Sequence, residues 1–202
     1  ARYRCSRSGS LGVLGTSRRP DTQLLMAPFS LERVPGEFRF EAGHGMQIMG
    51  YPLRPQSQGT VMIGSADPQA SPQIRPNYLG AEQDRRIAIA AVRYIRKLFA
   101  TPALAPLVGP ETLPGPGLER DDEILDSIRR YGQAVFHCAG TCRMGSDEAS
   151  VVDERLRVRG VAGLRVVDCS VMPQVVSGNT NAAVMAIAWR AADMILADRR
   201  GA

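Results

Sequence analysis

Histidine and aromatic residues are scarce in this chain of 202 residues, with two His, one Trp, and Phe, Tyr and Trp together at 5%. No basic stripe with interleaved aromatics occurs, which argues against a nucleic-acid partner. The formal charge of +5 comes from arginines scattered in pairs such as Arg85-Arg86 and Arg129-Arg130 with acids between them, the pattern of a solvated surface. No apolar run approaches the roughly 20 residues that cross a bilayer, so no transmembrane helix is expected. Cysteine is sparse too: Cys5, Cys138, Cys142 and Cys169 lack a C-x-x-C pair and follow no secretory signal. They read as free thiols of a reducing, cytoplasmic compartment, and Cys138 and Cys142 are too loosely spaced to suggest zinc. The first residues, Ala1-Arg2-Tyr3, carry neither Met nor a targeting pattern and read as a cut end.

What is present is globular in composition, 44% hydrophobic and 22% charged, with a length that allows one domain or one and a half. Residues 1–23 read as a lead-in of loop and turn, Ser10-Leu11-Gly12 included. The runs Met46 to Leu53 and Thr60 to Gly64 suit strands, and their hairpin-like order implies an antiparallel sheet. Ala81 to Ala100 places Ile87, Ala91, Tyr94, Ile95 and Leu98 at helical spacing. The proline-rich stretch 102–117 reads as a surface loop, and Asp121-Asp122-Glu123 opens a short helix with acids at its positive end. Ala134-Val135-Phe136 suggests a buried strand running up to His137. Two further strands are expected at Leu156-Arg157-Val158 and Leu164-Arg165-Val166-Val167. Asn181 to Asp198, rich in Ala, reads as a close-packed helix capped by Asn179, Thr180 or Asn181.

The chemistry gathers at two poles. One is FHCAGTCRMG, with His137; the other is VVDCSVMPQVVSGNTN, ending on Asn179 and Asn181. An imidazole, titrating near neutrality, suits proton transfer. A partner that only hydrogen-bonds a reacting oxygen need not titrate, so an asparagine can serve. Against this stands the ordinary case of a histidine that merely fills a core. A Cys–His nucleophile using Cys142 or Cys169 has no evident orienting carboxylate.

The succession of His137, Gly140 to Gly145, Val151-Val152-Asp153, Gly163 to Asp168 and Ser177 to Asn181 resembles the C-terminal half of a glucose-methanol-choline (GMC) flavin oxidoreductase. Upstream, His44-Gly45, Arg54 to Thr60, Asp67-Pro68 and Asn77-Tyr78-Leu79 are also similar to that family, and GTCRMG with SGNTN is closest in style to its choline and alcohol dehydrogenases.

The resemblance implies an α+β fold: an antiparallel sheet flanked by helices forms a substrate-binding domain over 24–135. Residues 136–202 then carry the catalytic motif and a C-terminal strand and helix that complete an FAD domain. It implies oxidation of a primary alcohol to an aldehyde, with His137 as base and Asn181 as second active-site residue, Asn179 being the alternative. Asp168, Cys169, Asn181 and Ala182 would approach FAD, with the backbone of Asn181 and Ala182 at the flavin's pyrimidine edge. Where the family usually has Pro, Ala183 stands here. His44 reads as a structural histidine of the substrate sheet. The pyrophosphate fingerprint G-x-G-x-x-G is absent, and Gly43-His44-Gly45 lacks its spacing. The chain therefore reads as inactive without an N-terminal FAD-binding half, the other possibility being a non-catalytic interaction module. With no evident aromatic cage, a neutral alcohol is expected rather than choline.

Overall fold

A computed structural model describes residues 9–11, 19–32, 34, 37 and 39–200. The fold is α+β, and two compact units divide it: Ala1–Ser57 with Leu79–Ala134, and Gln58–Tyr78 with Val135–Ala202.

In the first unit, β1 (Gly9–Leu11), β2 (Thr22–Ala27) and β3 (Gln47–Pro52) form an antiparallel sheet in that order, with β2 and β3 in register from Thr22 opposite Pro52 to Ala27 opposite Gln47. Ser10 and Leu11 thus belong to a strand and not to the expected loop, because pairing with β2 supplies what local propensity does not. Helix α1 (Glu82–Phe99) packs on β3, burying Ile87, Ala88, Ile89 and Ala91 while Arg93 and Lys97 face water. Its first-turn Asp84 is buried and fully employed: it accepts from Gln56 N at 2.9 Å, Ser57 N at 2.8 Å and Ser57 Oγ at 2.5 Å. Burying a carboxylate is tolerable only with such partners. Arg96 pairs with Glu111 at 2.8 Å and donates to the carbonyls of Gly115 and Leu118, fastening the proline-rich loop to α1. Helix α2 (Asp121–Tyr131) starts where the Glu123 carboxylate accepts the Arg120 N–H at 3.1 Å, and its Ile124 is fully buried.

The second unit contains the hairpin β4 (Thr60–Met62) and β5 (Gln73–Arg75), a long irregular segment, and α3 (Asn181–Arg200). Its core is Val152, Leu156, Val171 and Ala191, with Met144, Val158, Val166, Val167 and Ile187 packed around them. The strands expected at 156–158 and 164–167 are not formed as strands. Isolated bridges join Val152 to Val158 and Arg157 to Arg165, because Leu156 at φ +62° and turns at Gly160 and Gly163 bend the chain before a ladder can extend.

Two further expectations fail here. Ala134-Val135-Phe136 is not a strand: Phe136 lies at φ +57° with its ring 85% exposed. Nor is α3 the close-packed helix expected, with only Arg190 and Asp193 on a wetter side. Ala191 is its buried residue, whereas Met185, Trp189 and Leu196 face outward and Trp189 is 78% exposed. The last turn of α3 is secured by Asp198, which accepts from both Arg155 and Arg165.

Candidate functional site

All the residues singled out around the two poles fall within the second unit. Gly140 opens the turn after His137 at φ +92°, a conformation that a Cβ would strain. From there Cys142 N donates to Ser170 O at 3.0 Å and Met144 N to Val171 O at 2.8 Å, so GTCRMG lies along the segment that carries Asp168 and Cys169. Arg143 closes the motif by a two-pronged pair with Asp147 at 2.6 and 2.9 Å. That guanidinium holds the Asp147 carboxyl down at about 2.

His137 is half-buried, and its Nδ1 lies 3.2 Å from the hydroxyl of Thr180, which is itself buried. Thr180 O accepts Val184 N at 2.9 Å, the first turn of α3. One residue thus caps the helix with its carbonyl and meets the imidazole with its side chain. From the sequence Thr180 is expected only as a possible cap; its place between two candidate asparagines is the signal that marks it. Asn179 and Asn181 flank it, both exposed, and Asn181 is the first residue of α3. Ala182, the next residue, is exposed as well.

Asp168 is exposed and caps the short turn Cys169–Val171, its Oδ1 accepting from Ser170 N at 2.7 Å and Ser170 Oγ at 2.5 Å. Cys138 is exposed, Cys142 and Cys169 are half-buried, and all three are free thiols. Among the described residues no three His, Cys, Asp or Glu side chains gather as a metal site. Cys5 lies outside the described residues. His44 is exposed in a bend ahead of β3, within the first unit, so it is not part of a strand as expected: Gly43 at φ +109° turns the chain there.

A family model described as GMC oxidoreductase matches residues 55–188. The chain belongs to the GMC oxidoreductases. This GMC chain is 42% identical over 158 residues to an alcohol dehydrogenase [acceptor] of Pseudomonas putida, covering 78% of the chain and 29% of that relative. It is 42% identical over 152 residues to an oxygen-dependent choline dehydrogenase of Yersinia pseudotuberculosis, covering 75% of the chain and 27% of that relative. In three dimensions it superposes on pyridoxine 4-oxidase from Mesorbium loti with a TM-score of 0.80 at 29% identity, over 92% of this chain and 36% of that one. Formate oxidase of Aspergillus oryzae gives a TM-score of 0.82 at 27% identity, over 91% and 33%. The chain thus spans about a third or less of the GMC proteins it matches. Among its described residues no helix is long and apolar enough to cross a membrane.

Proposed function

We propose that this chain is the substrate-binding and catalytic C-terminal part of an FAD-dependent alcohol oxidoreductase. It takes a small primary alcohol and releases the aldehyde. The reading rests on one observation: the buried Thr180 hydroxyl meets His137 Nδ1 at the head of α3. With Nδ1–H donating to Thr180 Oγ1, the ring presents Nε2 as the atom that takes the alcohol proton. Asn181, or Asn179 on the other side of Thr180, donates its amide to the substrate oxygen and holds the carbinol carbon in line.

The residues present fit FAD. Asn181 and Ala182 stand exposed at the head of α3, where helix geometry leaves N–H groups without intrahelical acceptors and a partial positive charge. These donors and the exposed Asp168 carboxylate are the groups of this chain that would hold it, with Cys169 alongside. When bound, FAD supplies the hydride acceptor. The outward apolar residues of α3, Met185, Trp189 and Leu196, are the surface that an N-terminal FAD-binding half would cover. In this assignment residues 24–135 shape the substrate side and 136–202 the catalytic side, and the chain by itself is inactive.

The test is a flavin titration of the chain, followed by FAD fluorescence, with and without the FAD-binding half of a GMC relative supplied in trans. Binding and alcohol-dependent bleaching only with the second half present is the expected result. No binding in either case overturns the reading in favour of a non-catalytic interaction module.

A further inference from the structure

The turn that carries His137 is touched from a second direction, by the foot of the β4–β5 hairpin. Tyr78 Oη lies 3.6 Å from Cys138 Sγ, within the range of a sulfur hydrogen bond, and the two residues are 60 apart in sequence. Backbone on both sides of this contact is held in a sparsely populated conformation. Asn77, just before Tyr78, has φ +52°, and Phe136, two residues before Cys138, has φ +57°. Left-handed backbone is unfavourable for a bulky residue such as Phe136, less so for Asn77, and persists where the surroundings over-determine it.

The surroundings of Tyr78 do so. Asn77 Nδ2 donates to Gln58 O at 3.0 Å, closing the hairpin at its foot. A Cβ at Gly59 would come within 2.2 Å of Arg75 O and 2.6 Å of Pro76 O, so the two limbs approach as only glycine allows. By contrast the strands themselves are exposed along their length, Val61, Met62 and Ile74 included. The rigid part of the hairpin is the part that presents the phenol to Cys138. The hydrogen bond to Cys138, and then partial burial, raise the phenol's pKa.

We propose that Tyr78 is a positioning residue for His137: its phenol latches Cys138, the residue next to the imidazole, and so fixes the turn through a contact separate from that of Thr180. This rests on the reading of His137 as the base, which it deepens. Tyr78 acts through Cys138 and has no proton to move in the reaction. The latch couples the conformation of the hairpin foot to the aim of the base.

Two readouts test it. In the 202-residue chain, without flavin, the alkylation rate of each thiol by iodoacetamide is followed by peptide mass spectrometry in wild type and Tyr78→Phe. A change of about threefold or more at Cys138, with Cys142 and Cys169 unaltered as internal references, is expected; unaltered Cys138 reactivity overturns the latch. In the complete flavoenzyme, Tyr78→Phe and Cys138→Ala each lower the flavin-reduction rate about fivefold, the scale of one hydrogen bond, with KM unchanged. The double variant falls no further than either single one, and Cys138→Ser, which keeps a hydrogen-bonding group, recovers part of the loss. Additive losses, or Cys138→Ser as impaired as Cys138→Ala, overturn it. If His137 is not the base, flavin reduction ignores all of these variants while the alkylation rates still report the contact, so the two failures are told apart.

Discussion

The hydroxyl of Thr180 and the Nδ1 of His137 stand 3.2 Å apart although 43 residues separate them in sequence, and this contact joins the two chemical poles of the chain. In the proposed mechanism Nδ1–H donates to the threonine and the other ring nitrogen takes the proton. The same threonine starts α3, so the imidazole contact and the first turn of the helix share one residue.

Removing the proposed base comes first. In the complete flavoenzyme His137→Ala is expected to lower the rate of flavin reduction on the order of 100-fold, the usual scale of general-base catalysis. Thr180→Val keeps the side-chain shape but strips the hydroxyl, and about tenfold is expected, with Thr180→Ser recovering most of it. Stopped-flow reduction rates at saturating alcohol decide both; a Thr180→Val variant as fast as wild type would mean that the contact does not orient the ring.

The two asparagines are separable by the same assay. Asn181→Ala is expected to lower the reduction rate about tenfold or more, the effect of losing one donor to developing oxygen charge, while Asn179→Ala leaves most of it. The reverse order would transfer the role to Asn179.

Trp189 is the chain's one tryptophan and stands 78% exposed on α3. Its emission should move to shorter wavelength when an FAD-binding half covers that face, and Trp189→Ala should weaken association by at least tenfold, as buried aromatic anchors do. Emission unchanged on association would place the covered surface elsewhere.

Acid should loosen the GTCRMG turn. The Asp147 carboxyl is held at about 2 by the Arg143 guanidinium, against 3.8 for the free side chain. A group whose folded pKa is depressed contributes stability that is complete above its unfolded pKa and lost as pH falls through the folded one, so the loss runs from about pH 4 to pH 2. Thermal unfolding across that window should fall less steeply for Asp147→Asn than for wild type. Identical slopes would show that the pair contributes nothing, the fate of many exposed ion pairs.

The buried clasp in the first unit is a separate matter of stability. Asp84→Ala leaves the Gln56 and Ser57 N–H groups without their acceptor. The expected loss is about 3 kcal/mol in unfolding free energy, and Asp84→Asn, which keeps one acceptor oxygen, should lose less. Denaturant midpoints measure both.

Much of the fold was legible in local pattern. The spacing of Ile87, Ala91 and Leu98 predicted α1, and the acids at 121–123 marked the start of α2, since amphipathic period and capping are carried by neighbouring residues. The stretches at Leu156 and Leu164 misled because their β-branched content is that of strands, while Leu156 at φ +62° and two glycine turns confine them to single bridges. Ala-rich α3 is less closely packed than its composition suggests, because small residues suit a wide packed face and a narrow one alike, and among its residues Ala191 is the buried one.

By itself the sequence determined the family and the helices and singled out His137 as the candidate for base chemistry, because motif order and periodicity are local properties of the chain. Tertiary structure alone decided that Thr180 meets the imidazole, that Tyr78 meets Cys138, that Arg143 serves Asp147, and that Phe136 turns outward. Those are contacts between side chains and backbone brought together by folding, and no spacing rule along the chain encodes a distance across it.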